Sequence, residues 1–582
     1  MMEYDKDLLA EVTAKAKEWL LPIYDAQTRE DVQRMLDNPD KTELVEAFYK
    51  NLEFGTAGLR GIMGTGSNRM NIYTVGAATQ GLSNYLNGVF KGQGQISVVI
   101  GYDCRNNSRR FAEISADILS ANGIKVYLFE DMRPTPEISY AIRRLKCRSG
   151  IIITASHNPK EYNGYKAYWE DGAQVLAPHD RGIIDEVNKV TPACIRFKGN
   201  PALIEEIGEN VDLPYLEQVK AISIHPEVIA RHKDLKIVYT PLHGTGMMLI
   251  PRALKMWGFE RVTCVPEQMV KDGNFPTVAS PNPENAEAMA MAVELAKKID
   301  ADVVMASDPD ADRMGMACKD EKGEWILING NQSCSLFLHY IITQYKKAGK
   351  MKGNEFVVKT IVTTELARKI ADREQVEMFD CYTGFKWIAR EIRLWEGKKK
   401  FIGGGEESYG FLAEDFVRDK DAVSACCLMA EIAAWAKESG KTLFELLKEI
   451  YVEYGFSKEK GISVVKPGER GAEEIKEMMS AFRKNPPVGL AGSKVVVRKD
   501  FLTLKQTDAD GEVEDLDMPA TSDVLQYFTE DGSKVSIRPS GTEPKIKFYL
   551  EVKGSMKSVG DYAAADRKAE EKIEAIRKEL KI

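Results

Sequence analysis

The six histidines never fall in an HxxxH spacing and the nine cysteines never in CxxC, so neither a zinc site nor a thiol redox motif is indicated. The cysteines run from Cys104 to the adjacent pair Cys426-Cys427, an odd, unpatterned set that fits reduced thiols in a cytoplasmic compartment. No apolar run approaches the ~20 residues a membrane span needs. The opening Met1-Met2-Glu3-Tyr4-Asp5-Lys6 is too charged to begin a signal peptide. There is no basic excess either: 80 Lys and Arg stand against 88 Asp and Glu, a formal charge of −8. That balance weighs against a nucleic-acid binder, although local arginines can still gather an anionic substrate. What is present, 44% hydrophobic and 29% charged residues, describes a soluble globular protein. At 582 residues it is too long for one core, so several domains are expected.

Three stretches share a plan. Ile96 to Ile100 reads as a strand, followed by a loop with Asp103 and Arg105, a helix stopped by Gly123, and the strand Ile124 to Phe129. Leu235 to Tyr239, the loop Leu242-His243-Gly244-Thr245-Gly246, a helix ending at Gly258 and the strand Arg261 to Val265 repeat it. Glu355 to Val362, Thr364 to Asp372 and Val376 to Cys381 repeat it again. Strand–helix–strand units of this length imply parallel pairing with right-handed crossovers. The first 45 or so residues are helical in pattern and lead into the glycine-rich loop Phe54 to Gly61, with Arg60 in it. From about Ser457 onward, strands such as Lys494 to Val497, Val524 to Thr529 and Lys545 to Val552 alternate with charged helices. The expected fold is three related mixed α/β domains, at 1–210, 211–329 and 330–456, and a smaller α+β domain at 457–582.

The chemistry concentrates in a few loops. Ile151-Ile152-Ile153 reads as a buried strand stopping in Thr154-Ala155-Ser156-His157-Asn158-Pro159, which puts the Ser156 hydroxyl, expected to be exposed, at a strand's carboxyl end. His157 and Lys166 can each handle a proton beside it. Asp302 to Ser307 runs into Asp308-Pro309-Asp310-Ala311-Asp312-Arg313, where three alternate carboxylates make sense around a hard divalent cation. An EF-hand is excluded because the sixth position is Arg313 and the twelfth Lys319. Few protein ligands leave room for water or a phosphate oxygen, which suits Mg²⁺. Arg538-Pro539-Ser540-Gly541-Thr542 offers an arginine, two hydroxyls and bare backbone to a phosphate. Gly405-Glu406-Glu407-Ser408 offers carboxylates to sugar hydroxyls, and Thr383-Gly384-Phe385-Lys386 a lysine after a strand.

Taken in chain order, the motifs at Thr154–Pro159, Asp308–Arg313, Gly405–Ser408 and Arg538–Thr542 resemble those of the α-D-phosphohexomutases, the phosphoglucomutase/phosphomannomutase superfamily, over nearly the whole chain. The resemblance implies four domains around a central cleft, a phosphoserine at Ser156, and Mg²⁺ on Asp308, Asp310, Asp312 and that phosphoserine. It implies that Lys166 is a general acid/base, its pKa lowered by nearby cations, with His157 as its rival, and that Arg60 and Arg313 add positive charge. Arg538, Ser540, Gly541 and Thr542 would hold the non-reacting phosphate. Glu406 and Ser408 would read sugar hydroxyls, with Thr383, Gly384, Lys386 and, secondarily, His243 nearby. The expected activity moves phosphate between C1 and C6 of a sugar through a bisphosphorylated intermediate, with a bisphosphate of the glucose 1,6-bisphosphate type as activator. Glu-Glu-Ser at 406–408 resembles the glucose-type branch, while the run Thr240 to Gly244 and the length resemble a branch that also holds phosphopentomutases; phosphomannomutase and a sugar-phosphate phosphatase are further alternatives. Such an enzyme is expected to be a cytoplasmic monomer or homodimer that meets small sugar phosphates, with no nucleic-acid or membrane partner.

Overall fold

A computed structural model describes residues 4–55, 58–466, 469–540 and 545–582. The amino-terminal helices Lys6–Glu18, Ala26–Asp37 and Thr42–Phe48 form as the pattern predicts. Asp5 and Asp25 open the first two by accepting backbone N–H groups of the first turn. Trp19, Tyr24 and Phe48 pack with Tyr73 of the first domain, whose hydroxyl also bonds Asp25, so these helices are fastened to that domain by both core and polar contacts.

All three strand–helix–strand repeats form, and each has a third parallel strand. Ser97–Tyr102 lies between Lys125–Phe129 and Ser149–Ile153. Lys236–Thr240 lies between Arg261–Cys264 and Val303–Ser307. Glu355–Thr360 lies between Glu377–Cys381 and Lys400–Gly405. The spatial order is the same each time, and the third strand always has an antiparallel neighbour: Tyr162–Trp169, Met314–Lys319 or Phe411–Leu412. The chain therefore steps outward from the first strand and then back across it. The loop leaving the third strand opens beside the first strand's carboxyl end, which is where open α/β sheets bind ligands. The strands ending at Ile153, Ser307 and Gly405 lead into the Ser156, Asp308 and Glu406 loops. One position in a repeated sheet thus supplies three of the four motifs. Ile151, Ile152 and Ile153 are wholly buried, as an unbroken apolar run in a strand covered on both faces must be.

The last domain is antiparallel, with Phe456–Val465, Lys545–Gly554, Lys534–Pro539, Leu525–Thr529 and Ser493–Asp500 in spatial order. A hairpin of Lys505–Asp508 and Val513–Asp515 extends its edge, and the helices Glu469–Lys484 and Tyr562–Leu580 pack on the sheet. The second and third domains are joined by the helix Ala422–Glu438, apolar on nearly every face and buried accordingly. Its one buried acid, Glu431, accepts from the backbone N–H groups of Ile224 and His225 and from the Tyr340 and Ser223 hydroxyls, so that its charge is fully hydrogen-bonded.

Candidate active site

The serine loop is held in a conformation its residues would not choose alone. Ser156 adopts φ 50°, in the left-handed region that non-glycine residues occupy only when their surroundings impose it. The surroundings are Thr154, whose Oγ1 accepts the Ser156 N–H at 2.8 Å, and Arg105. The Arg105 guanidinium donates to the carbonyls of Ser156, Asn158, Pro159 and Tyr162 at 2.5–3.0 Å, and it pairs with Asp103 at 3.3 Å. Arg105 lies on the loop after the first strand of the repeat; only its place beside the third strand signals this role. The hydroxyl expected to be exposed is instead buried, because the metal loop of the second domain closes over it: Ser156 Oγ donates to Asp308 Oδ2 at 2.6 Å. His157 Nδ1 lies 3.2 Å from the same oxygen. Burial, with Arg313 and Arg60 adding to it, holds the His157 imidazole well below its ordinary pKa, so it is neutral. Arg60 stands exposed on the rim and donates to Asn158 Oδ1 at 3.2 Å.

Asp308, Asp310 and Asp312 are all buried, with carboxylate oxygens within 4.8 Å of one another. Ala311 between them is also left-handed, at φ 49°. Backbone bonds from three sides fix the loop. Thr135 N donates to Asp310 O, Met314 N to Tyr409 O, and Ala422 N to Ala311 O. The Oδ2 edges are occupied. Asp310 accepts from Lys166 at 2.8 Å and Thr135 Oγ1 at 3.0 Å, and Asp312 accepts from Lys420 at 2.7 Å and Lys166 at 3.4 Å. The Oδ1 atoms of Asp310 and Asp312 are buried without a hydrogen-bond partner. Two orphaned carboxylate oxygens beside a third carboxylate fit a hard divalent cation. Burial and the neighbouring Asp310 and Asp312 charges push the Asp308 carboxyl well above its ordinary pKa. Burial works the same way on Asp310, but Lys166 outweighs it and holds that carboxyl well below the ordinary range.

Lys166 corrects one expectation. Neighbouring cations were expected to lower its pKa; burial does act in that direction, but Asp310 and Asp312 outweigh it, and the ammonium is held above its ordinary value. Lys420, to which no motif drew attention, is buried on Asp312 and on Asp419, which in turn accepts from Tyr168 at 2.7 Å and Gln174 at 3.0 Å. Its position comes from the strap that leads into Ala422–Glu438, and nothing in the local sequence marks it.

The sugar-loop candidates come from the third domain. Glu406 is buried and accepts the Gly384 N–H at 3.0 Å, and burial pushes its carboxyl up to about 6 even though Lys420 opposes the shift. Thr383 Oγ1 is a buried hydroxyl without a hydrogen-bond partner, and Ser408 and Lys386 are half-buried. A bridge pairing Arg313 with Gly410 seats this loop directly on the metal loop. Glu407 turns away toward Thr360 and Thr363, accepting the Thr360 hydroxyl at 3.2 Å. His243 does not join the cluster: its ring nitrogens are engaged by Val270 O and Thr277 Oγ1, each at 2.8 Å, and it braces the second domain. In the fourth domain, Arg538 and Tyr549 interact on adjacent strands, and Tyr549 also feels the charges of Glu406 and Glu407. Lys547 on the same strand feels Glu407 and Arg313, so the Arg538 edge faces the sugar and metal loops. Ser540 is half-buried beside it. Gly541 and Thr542 lie outside the described residues.

Three α/β domains that bring a serine loop, an acidic triad and a carboxylate loop together, with a fourth domain facing them, define a phosphosugar mutase architecture. Models described as phosphoglucomutase/phosphomannomutase α/β/α domains I, II and III match residues 51–193, 214–323 and 329–454, and the C-terminal domain of the same family matches 494–569. A phosphoglucomutase of Staphylococcus haemolyticus (strain JCSC1435) is 38% identical over 525 residues, covering 89% of this chain and 93% of its own length. The chain belongs to the phosphoglucomutase/phosphomannomutase family and is a sugar-phosphate mutase. Two solved structures share the fold. A family protein from Burkholderia thailandensis has a TM-score of 0.63 at 20% identity, covering 90% of this chain and 97% of that one. The Paramecium phosphoprotein pp63/parafusin, a phosphoglucomutase in its open form, has a TM-score of 0.65 at 17% identity, covering 91% and 96%. Among the described residues no helix is long and apolar enough to cross a membrane.

Proposed function

We infer that the chain interconverts the 1- and 6-phosphates of glucose through a phosphoserine at Ser156 and a bisphosphorylated sugar. The observation that carries this is the 2.6 Å hydrogen bond from Ser156 Oγ to Asp308 in a cluster that also holds Lys166. In the transfer, the bond from phosphorus to Ser156 Oγ breaks and a bond from phosphorus to a sugar hydroxyl oxygen forms. The hydroxyl proton passes to Ser156 Oγ by way of Lys166, which gives its own proton to the serine and takes the sugar's. His157, neutral and on the same oxygen, orients the hydroxyl. Phosphoryl transfer depends mainly on positioning and on neutralising charge, and Arg60, Arg313 and Lys420 place cations around the reacting group. Mg²⁺ on Asp308, Asp310, Asp312 and the serine-linked phosphate would offset the repulsion between two dianions, about 4 kcal/mol per unit pair at 4 Å and an effective dielectric of 20.

Glu406 and Ser408 read sugar hydroxyls, with Thr383, Gly384 and Lys386 alongside, and Arg538, Ser540, Gly541 and Thr542 hold the phosphate that is not reacting. Because that loop must accept either end of the intermediate, it recognises phosphate and not position. A glucose 1,6-bisphosphate-type activator primes Ser156, the domains divide at 210, 329 and 456, and the enzyme acts in the cytoplasm as a monomer or homodimer. The Staphylococcus relative's name, together with Glu-Glu-Ser at 406–408, supports glucose over mannose or a pentose. The test is a coupled assay over glucose, mannose, glucosamine, ribose and deoxyribose 1-phosphates with trace bisphosphate. Glucose 1-phosphate is expected to give the highest kcat/KM; a pentose phosphate in first place would overturn the glucose assignment.

A further inference from the structure

A second cleft, of about 370 Å³, lies between the third and fourth domains, away from the serine and aspartate loops. Its walls come from Glu377–Cys381 and its surroundings on one side and from Ser493–Asp500, Leu525–Thr529 and the 501–518 segment on the other. The apolar part includes Met378, Phe501, Phe528, Leu516 and Met518. The polar part is unequal in charge. Arg368 is satisfied by Asp380 at 2.9 Å, and Glu365 and Asp380 are further paired with the buried Lys359 at 3.0 and 3.1 Å. Glu365 also takes Lys534 at 2.7 Å. Lys499 lines the same cleft half-buried, and among the described residues no carboxylate lies within ion-pair distance of its ammonium. Its ammonium lies over the face of Phe528, 5.2 Å from the ring centre. Burial lowers its pKa, and Asp380 and Glu365 oppose this only in part. Asp517 stands at the exposed rim.

A cleft of this size, lined by aromatic and thioether side chains with one unpaired cation inside, has the make-up of a small-molecule site. Among the described residues Lys499 is the one unpaired cation inside the cleft, and it favours a monoanion over a phosphate dianion, which the unpaired Asp517 carboxylate at the rim would repel more strongly. We propose that this cleft binds an aromatic monocarboxylate, with the carboxylate on Lys499 and the ring between Phe501, Phe528 and Met518, as an effector site separate from the catalytic cleft. A ligand there touches both domains. Gln526, in its wall, donates to Ile361 O at 2.7 Å, and the turn that follows Ile361 carries Thr363, whose Oγ1 accepts the Glu407 N–H at 3.1 Å. Occupancy therefore stabilises the packed arrangement of the third and fourth domains and the seating of the sugar loop. By linkage it raises the affinity for sugar phosphate, and sugar phosphate raises the affinity for the effector by the same factor.

The test is calorimetric titration of the full-length enzyme with phenylacetate, with phenethylamine as the cationic counterpart and acetate as the ringless one. Phenylacetate is expected to bind and the other two are not. Lys499→Met is expected to weaken phenylacetate by about tenfold or more, the worth of a charge-assisted hydrogen bond. Met518→Trp, which fills the cleft, is expected to abolish binding while leaving the unfolding temperature near that of the wild type. Saturating glucose 1-phosphate is expected to tighten phenylacetate. No binding to the wild type at 10 mM (about −2.7 kcal/mol), equal binding in Lys499→Met, or competition between phenylacetate and glucose 1-phosphate would each overturn the proposal. None of these outcomes bears on whether Ser156 carries the transferred phosphate.

Discussion

Ser156 Oγ and Asp308 Oδ2 are 2.6 Å apart, although 152 residues separate them in the chain. The contact joins the loops after corresponding strands of two repeated sheets, so it follows from the repeat and not from any local feature of either loop. A serine so placed is covered by the acidic triad, and in the proposed mechanism a serine-linked phosphate keeps those carboxylates as neighbours.

The first prediction concerns the orphaned oxygens of Asp310 and Asp312. Adding Mg²⁺ to chelator-stripped enzyme is expected to raise its thermal unfolding temperature, by about 2.7 kcal/mol of binding free energy at a hundredfold excess over Kd. Asp310→Asn and Asp312→Asn should lose that shift as well as activity. A full Mg²⁺-dependent shift in both variants would place the ion elsewhere.

A second prediction separates the two proton carriers. Lys166 holds its proton among three carboxylates, whereas His157 is kept neutral by burial and nearby arginines. Lys166→Met is therefore expected to lower kcat by about 10²–10⁴, the usual worth of a general acid–base group. His157→Asn, which keeps a hydrogen-bonding partner for the serine, should cost about tenfold or less. The reverse order in single-turnover kinetics would exchange the two roles.

The third prediction concerns pH. The folded Glu406 carboxyl sits at about 6, above its ordinary 4.5, mainly because it is buried. A raised folded value means the folded state binds the proton more tightly. Its contribution to stability is then fully present below pH ~4.5 and is lost as pH rises through about 6, some 2 kcal/mol in all. In the proposed role ionisation serves binding, because the carboxylate would accept sugar hydroxyls. Sugar-phosphate affinity should therefore rise over the window in which this contribution to stability falls. Glu406→Gln is expected to flatten the stability change and to weaken sugar phosphate at pH 7. An unchanged stability profile in that variant would assign the titration to another group, such as Asp421, which burial also pushes up to about 6.

The strand–helix–strand repeats and the identity of the motif residues were legible because both are local: a β-branched run, a glycine stop, three alternate aspartates. The third parallel strand was legible only as the lead-in to the serine and aspartate motifs, and in the third repeat not at all, since its partner is fixed by the chain crossing back over the first strand. Lys420 was not legible. It enters through a strap whose sequence resembles any charged turn, and its role depends on a carboxylate more than a hundred residues away. Arg105 and Lys166 failed for the same reason in different degree. Arg105 was seen without its four carbonyl partners, and the electrostatics of Lys166 were inverted because its strongest neighbours are the aspartates and not the arginines. His243 carried the appearance of a site residue from its glycine-flanked loop, and two hydrogen bonds within its own domain account for it.

The central claim is tested most directly by following one phosphoryl group. Enzyme treated with labelled glucose 1,6-bisphosphate is digested and its phosphopeptide mapped, and the labelled enzyme is then mixed with unlabelled glucose 1-phosphate in a single turnover. The account predicts label on Ser156 alone, passing to the sugar bisphosphate without release of inorganic phosphate, and Ser156→Ala taking up no label and losing turnover by about a thousandfold or more. Label on another residue, or wild-type turnover in Ser156→Ala, would contradict it.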